Sequence, residues 1–183
     1  MAQPRQPEPV KLIVGMISRF EDAFRLAETD LCKHFGAIDS RSAEFPFDIT
    51  DYYSDQMGTN LTRRFLSFAD LIAPDRLAEI KLRTNQLERD LAATGKWPVE
   101  RPINIDPGYV TLSKLILATT KDYAHRVYLG RGIYAEVTLK FKKGKFEPWP
   151  WTYPDYRTEG YLSWFAKVRD LCLRTAKGGG PSA

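Results

Sequence analysis

Residues 10–17 are apolar or glycine except for Lys11, the pattern of a strand buried on both faces. Ser18 stands three residues ahead of Glu21, the spacing of a reciprocal capping box. Phe20, Phe24, Ala27, Leu31 and Phe35 then recur at three and four, which predicts an amphipathic helix ended by Gly36. Phe45, Phe47 and Ile49 alternate with Glu44, Pro46 and Asp48, a strand that Pro46 confines to a sheet edge. A polar loop over 50–60 leads into another strand over 62–70. Pro74 opens a second helix, whose stripe of Leu77, Ile80, Thr84, Leu87 and Leu91 runs to about Ala93.

The order strand, helix, strand, strand, helix becomes a split βαβ of the ferredoxin-like kind once one more strand follows. Ile103-Asn104-Ile105 and residues 114–119 both qualify, and the continuous apolar middle of the second favours it. Between them Asp106-Pro107-Gly108-Tyr109 has the residues of a type II turn. Around Gly130-Arg131-Gly132, a three-residue loop pairs Leu129 with Ile133, Val127 with Ala135 and His125 with Val137. The other face then pairs Tyr128 with Tyr134 and Arg126 with Glu136, and a one-residue slip would mix apolar with charged partners. A tight turn at Lys143-Gly144 sets Phe141 opposite Phe146. The last element is a helix over about 158–177, striped by Tyr161, Phe165, Val168 and Cys172 and closed by Gly178. The sequence therefore predicts one α+β domain over 10–177. Its largely antiparallel or mixed sheet begins as the split βαβ and is extended by a C-terminal meander, with helices on one face. The Pro-rich residues 1–9 and the Gly-rich residues 178–183 are expected to be disordered tails.

Composition changes this picture in two places. The 183 residues include 4 Trp, 9 Tyr and 10 Phe, and eight of these aromatics fall within the twenty positions 146–165. Prolines 148, 150 and 154 break that segment, so it reads as an irregular lid across the domain, with a stacking surface for single-stranded RNA as the alternative. The net charge of +4 hides an asymmetry. Residues 1–100 hold 13 basic and 16 acidic side chains, net −3, and residues 101–183 hold 14 and 7, net +7. Lys140, Lys142, Lys143 and Lys145 contribute around one hairpin tip, where they protect a strand edge or meet phosphate. No apolar run reaches the ~18 residues of a spanning helix, and the N-terminus lacks a secretory layout, so the protein is expected in the cytoplasm with no membrane partner. Cys32 and Cys172 form no C-x-x-C and read as buried apolar cysteines rather than a metal site.

Candidate chemistry gathers at strand ends. Arg126 opposite Glu136, flanked by Tyr128 and Tyr134, is an ordinary exposed pair, or a site if the aromatic segment covers it. Asn104, Asp106 and Tyr109 surround one turn and Lys121, Asp122 and His125 the next, where loops on a rigid sheet carry function but turns also recruit such residues locally. His125 shares a face with Val127 and Leu129 in the predicted register and reads as a core-edge histidine. Lys81, Asn85 and Glu88 recur along one flank of the second helix, either lining a pocket or solvated.

Asn104-Ile105-Asp106-Pro107-Gly108-Tyr109, residues 114–122, His125-Arg126-Val127-Tyr128-Leu129, residues 132–139 and Trp151-Thr152-Tyr153-Pro154-Asp155-Tyr156 together resemble a prokaryotic domain-of-unknown-function family, DUF4416. Phe65-Leu66-Ser67-Phe68 and residues 81–88 are similar to it as well. That resemblance implies no established activity. Some members carry an automatic label of GTP-binding protein, but the P-loop pattern G-x-x-x-x-G-K-[S/T] is absent: the G-K pairs Gly95-Lys96 and Gly144-Lys145 continue with Trp97 and Phe146.

The leading expectation is a site for a phosphorylated or nucleotide-like small molecule, its cofactor unknown. Lys81, Asn85, Lys121, Arg126, Tyr134 and Asp155 would bind, and Glu136, Asp106 or His125 would handle protons, with no metal site assigned. The alternatives are an RNA-binding module built on the basic half and a protein–protein adaptor.

Overall fold

A computed structural model describes residues 3–48 and 53–178. The chain runs β1 (Val10–Ser18), α1 (Glu21–Phe35), β2 (Ile38–Arg41), β3 (Phe45–Phe47), α2 (Ser54–Met57), β4 (Leu61–Ile72) and, after a 3-10 turn, α3 (Leu77–Ala93). There follow β5 (Ile103–Val110), β6 (Lys114–Thr119), β7 (Arg126–Gly130), β8 (Ile133–Lys142), β9 (Lys145–Pro148) and α4 (Glu159–Gly178). The strands form one sheet in the order β2-β4-β1-β5-β6-β8-β7. β3 joins the outer side of β4, and β9 pairs with β8. Every pairing is antiparallel.

The first part is the split βαβ that the pattern predicts. β1 lies between β4 and β5, and each of its nine residues is buried. Side chains alternate across a strand, so Leu12, Val14 and Met16 point to the layer of α1 and α3, where they meet Phe24, Leu31, Ile80 and Leu87. Ile13 points to the opposite layer with Phe65, Tyr161, Trp164, Phe165 and Val168. A strand apolar on both sides needs cover on both. That is why α4 packs across the sheet from α1 and α3, where the sequence reading had set all the helices on one face.

Phe65 organises the second layer. It is fully buried, stacks on Trp164 at 5.3 Å and meets Tyr156, Tyr161 and Phe165 edge-on. Its backbone neighbour across the ladder is Gly15, where an added Cβ would press on the Phe65 ring and the Arg63 guanidinium.

Several local expectations are corrected. The Asp106-Pro107-Gly108-Tyr109 stretch is strand, not turn, and Ile103–Val110 takes the place beside β1 that residues 114–119 were favoured for. The Ile105 amide and carbonyl point away from β1, so by alternation Pro107 turns its missing N–H toward the same unpaired edge, where no ladder bond is lost. Gly108 has no room for a side chain because the Ile116 carbonyl lies against it. Ser18 ends β1 instead of capping α1. Its hydroxyl accepts from the Phe20 amide at 2.9 Å and donates to the Pro102 carbonyl at 2.7 Å, and Phe20 takes the cap position.

In the hairpin, Arg126 pairs with Glu136, Val127 with Ala135 and Tyr128 with Tyr134 as expected, but Gly130 rather than Leu129 meets Ile133. Phe141 faces Phe146 as predicted. Lys11, the one charge in β1, is fully buried and pairs with Asp39, whose other oxygen accepts from Ser67 at 2.5 Å. Cys172 is buried and Cys32 only half-buried. Residues 3–9 are exposed and belong to no helix or strand, while 1–2, 49–52 and 179–183, with parts of the predicted loop and both tails, lie outside the described residues.

Truncating the centre of the second layer, Phe65→Ala, is expected to cost about 3–5 kcal/mol, read as a lower urea midpoint with an unchanged slope.

Candidate functional site

The β5–β6 ladder joins only Gly108–Val110 to Leu115–Leu117, which leaves the first half of β5 with a free edge facing α3. A buried backbone group without a partner is costly, and two side chains one helical flank apart supply partners. Lys81 Nζ donates to the Ile105 carbonyl at 3.0 Å, and a Glu88 oxygen accepts from the Ile105 amide at 2.6 Å. Lys81 also donates to Asp106 at 2.8 Å, and Asn104 donates to the other Asp106 oxygen at 2.6 Å. Arg101 bridges Glu88 and Asn104. Burial alone would raise the Asp106 carboxyl, but Lys81, Arg63 and Asn104 override it and hold the group at about 2. Glu88 shifts the other way, upward, because burial outweighs Lys81 and Arg101. The Asp106 side chain keeps 29% exposure, against 5% for Lys81, so a ligand can reach it.

Arg63 stands on the same sheet face. It was not singled out from sequence, although Phe65 and Ser67 at spacings of two place it on a buried side of β4. Its guanidinium lies 4.9 Å from the Phe47 ring and 5.6 Å from Phe65 and Tyr156, donates to the Tyr156 hydroxyl at 3.1 Å and pairs with Asp155 at 3.3 Å. Burial raises the Asp155 carboxyl despite the opposing Arg63 charge, and burial likewise raises the Tyr156 phenol. The Arg63 Nε has no partner among the described residues.

Across the sheet, the aromatic segment does cover the Arg126–Glu136 pair, leaving each side chain 4% exposed. Arg126 donates from Nε to Glu136 at 3.0 Å, and from its two Nη atoms to the Lys121 carbonyl and the Tyr153 hydroxyl, both at 3.1 Å. His125 Nε2 lies 3.1 Å from the same Glu136 oxygen. It is therefore on the Glu136 side of the hairpin rather than beside Val127 and Leu129, which are exposed instead of core. The imidazole stacks on Trp151 at 5.4 Å, Trp151 stacks on Trp149 at 5.2 Å, and the Lys140 ammonium sits 4.4 Å from the Trp149 ring. β8 lacks an outer strand at Val137 and Thr138. Trp151 Nε1 donates to the Val137 carbonyl at 3.0 Å, and the Thr152 hydroxyl to the Thr138 carbonyl at 2.5 Å. Arg157 ties the segment together through the carbonyls of Trp149, Pro150 and Thr152.

Register places these groups on one face. Gly15 is opposite Asp106, while Gly108, Leu117, Glu136 and Arg126 form one cross-strand row two residues along. Of the residues expected to share a site, Lys81 joins Asp106 directly, and His125 and Arg126 join Glu136 with the Lys121 backbone. Asp155 joins Arg63 instead. Tyr134 packs against Tyr128 beside the second group, with ring centroids 5.2 Å apart and the planes tilted. Asn85 is half-buried on the α3 flank between Lys81 and Glu88 and makes no side-chain hydrogen bond among the described residues. No group of three or more His, Cys, Asp or Glu among the described residues is placed to hold a metal ion, and no described helix is long and apolar enough to cross a membrane.

The depressed Asp106 carboxyl sets an acid dependence. Its folded value of about 2 lies below the ordinary 3.8, so the stability it adds is present above pH ~4 and is lost as pH falls toward 2. Asp106→Asn is expected to remove about 2 kcal/mol at pH 7 and to flatten the urea midpoint between pH 4 and 2.

Among the curated proteins and the solved structures, nothing matches this chain. The profile of one family spans residues 8–171, which takes in the split βαβ, the meander, the aromatic segment and both polar groups. The chain belongs to the domain of unknown function family DUF4416.

Proposed function

We propose that the sheet face between Asp106 and Glu136 binds a small anionic molecule, phosphorylated or nucleotide-like, in the cytoplasm of a prokaryotic cell. The hold on His125 carries this reading. A buried carboxylate takes one ring nitrogen, Trp151 stacks against one ring face, and Nδ1 has no hydrogen-bond partner among the described residues. A carboxylate on one imidazole nitrogen orients the ring and selects what the other presents. Here that is a proton acceptor when the ring is neutral and a donor to an anionic oxygen when it is charged. Lys121 is exposed on the same loop, four residues before His125. Arg126 spends three donors on protein groups and acts as the latch that joins β7, this loop and the aromatic segment. Across the split in the sheet, Asp106 offers an ionised carboxylate to ligand hydroxyls, and Asn85 stands one turn along α3 from its partner Lys81.

The RNA reading is less well supported. The ring faces that would stack on bases are largely taken by one another, in the run Lys140, Trp149, Trp151 and His125.

Calorimetric titration with inorganic phosphate, AMP, ATP and GTP tests the proposal. At least one probe is expected to bind, and His125→Ala, at a partly exposed position outside the strands, is expected to weaken it at least tenfold, about 1.4 kcal/mol, with the circular dichroism spectrum of the folded chain retained. No saturable binding up to 10 mM (a working ceiling of roughly 3 kcal/mol), or equal binding by His125→Ala, overturns it. Tight, steeply salt-dependent binding of a single-stranded oligonucleotide would favour the RNA reading instead.

A further inference from the structure

The lysines around the β8–β9 turn are gathered by the register of the ladder. Lys114 on β6 lies opposite Lys140 on β8, and Lys142 on β8 lies opposite Lys145 on β9. Residues two apart on a strand share a face, so these four side chains stand together on one side of the sheet. A fifth, Lys143, is in the turn between β8 and β9. Residues 110–116 and 138–147 hold these five lysines and one acidic side chain, Glu147, so this end of the sheet carries as much net charge as the whole chain, +4. Lys114, Lys142, Lys143 and Lys145 are exposed. Lys140 is half-buried, with Glu147 at 3.9 Å and the Trp149 ring at 4.4 Å.

Protection of a sheet edge accounts for Lys145 on the terminal strand β9, but not for Lys114 and Lys140. β6 lies between β5 and β8, and β8 at Lys140 is paired on both sides, with β6 and with β9. Like charges directly opposite one another weaken a sheet, so two such pairs side by side oppose the fold rather than serve it. Next to them the turn between β5 and β6 holds an apolar side chain outward. Leu112 is 42% exposed, in a turn fixed by the Thr111 hydroxyl, which accepts from the Ser113 and Lys114 amides at 3.1 Å each. The Ser113 carbonyl accepts from the Phe141 amide at 2.7 Å, and the Leu112 carbonyl accepts from Arg169 at 2.8 Å.

We infer that this end of the sheet docks on an anionic lipid surface, with the five lysines over the headgroups and Leu112 in the boundary between headgroups and acyl chains. Such a surface supplies negative charge across its whole area, which relieves the repulsion between facing lysines, and it takes up an apolar side chain beside them. A nucleic-acid strand would use the first property and not the second. It would also need rings for its bases, and the rings at this end, Phe141 and Phe146, pack on each other and are not exposed. No described helix is long and apolar enough to cross a membrane, and a peripheral contact needs none. One leucine with a basic patch is a weak anchor, so the contact is reversible and sensitive to salt.

Cosedimentation of the full chain with vesicles of phosphatidylcholine, alone or mixed in equal parts with phosphatidylglycerol, tests this. The native chain is expected to bind the mixed vesicles and not phosphatidylcholine alone, and to be released as salt is raised. Lys142→Gln with Lys145→Gln is expected to weaken binding roughly 25-fold, at about fivefold per lysine, while the thermal midpoint holds or rises because a like-charge pair is gone. Leu112→Ser is expected to weaken binding severalfold and to leave its salt dependence unchanged. Arg25→Gln with Lys33→Gln, which removes the same charge from exposed positions on α1, is expected to leave binding near native. No binding to the mixed vesicles, equal binding to both kinds of vesicle, an equal loss from the α1 pair, or Leu112→Ser that binds as the native chain does, each overturns the proposal. Binding of a single-stranded oligonucleotide that depends on Lys142 and Lys145, without binding to vesicles, assigns these lysines to nucleic acid and overturns it as well.

Discussion

An unbroken hydrogen-bond ladder is what a nine-stranded sheet requires and what this chain does not supply. Among the described residues, three gaps beside strands are closed by side chains, one of them with the help of a loop amide. On the outer side of β4, between β2 and β3, the Ser42 amide donates to the Phe65 carbonyl and the Ser42 hydroxyl accepts from the Phe65 amide, each at 2.9 Å. On β5, Lys81 and Glu88 serve Ile105. On β8, Trp151 and Thr152 serve Val137 and Thr138. Since buried backbone groups must be satisfied, these residues are structural before they are anything else. Two of the three closures also put charged or aromatic groups on the face that holds the candidate site, so chemistry collects where the sheet is incomplete.

Burial of ions follows the same logic. A buried pair costs desolvation and adds little net stability unless its remaining donors and acceptors are met. Lys81 satisfies this by reaching a carboxylate and a carbonyl together, and Arg126 by spending donors on Glu136, Lys121 and Tyr153. Lys11, sealed under β2, reaches Asp39 and the Ala69 carbonyl. Arg63 is the exception, with Nε unpartnered and three aromatic rings about its guanidinium. The two layers differ accordingly. The α1–α3 side mixes aliphatic side chains with Phe24, Phe35, Phe68 and Trp97, whereas the α4 side combines a denser set of aromatic rings with the buried Arg63–Asp155 and Arg126–Glu136 pairs.

Much of this was legible in the chain. The double-sided apolar run of β1, the stripes of α1, α3 and α4, the edge position marked by Pro46 and the pairing of Arg126 with Glu136 all follow from periods of two and 3.6 and from turn residues. Each is local, or depends on one short loop. The aromatic segment was recognisable as a cover because its prolines rule out regular structure while its rings demand burial. Lys81, Asp106, His125, Arg126 and Glu136 could be proposed because charged groups near strand ends are uncommon enough to notice.

Other features depended on packing that no local pattern encodes. Asp106-Pro107-Gly108 is compatible with a turn or with strand, and only the open edge facing α3, which makes the missing Pro107 amide harmless, decides for strand. His125 follows β8's carboxylate rather than its predicted face because it lies just outside β7, where strand alternation no longer holds. Arg63 became a central group only when β4 was seen to turn it toward Asp155 and Tyr156, some ninety residues away in the chain. The sequence alone determined β1, the three long helices, the split βαβ order and the family's characteristic segments, because those rest on periodicity and neighbours, but not the short β2 and α2 or the course of β5. Which charges share a face, which backbone groups lack a strand partner and which apolar side chains stay exposed were decided by the tertiary structure, because each depends on contacts between residues far apart in the chain.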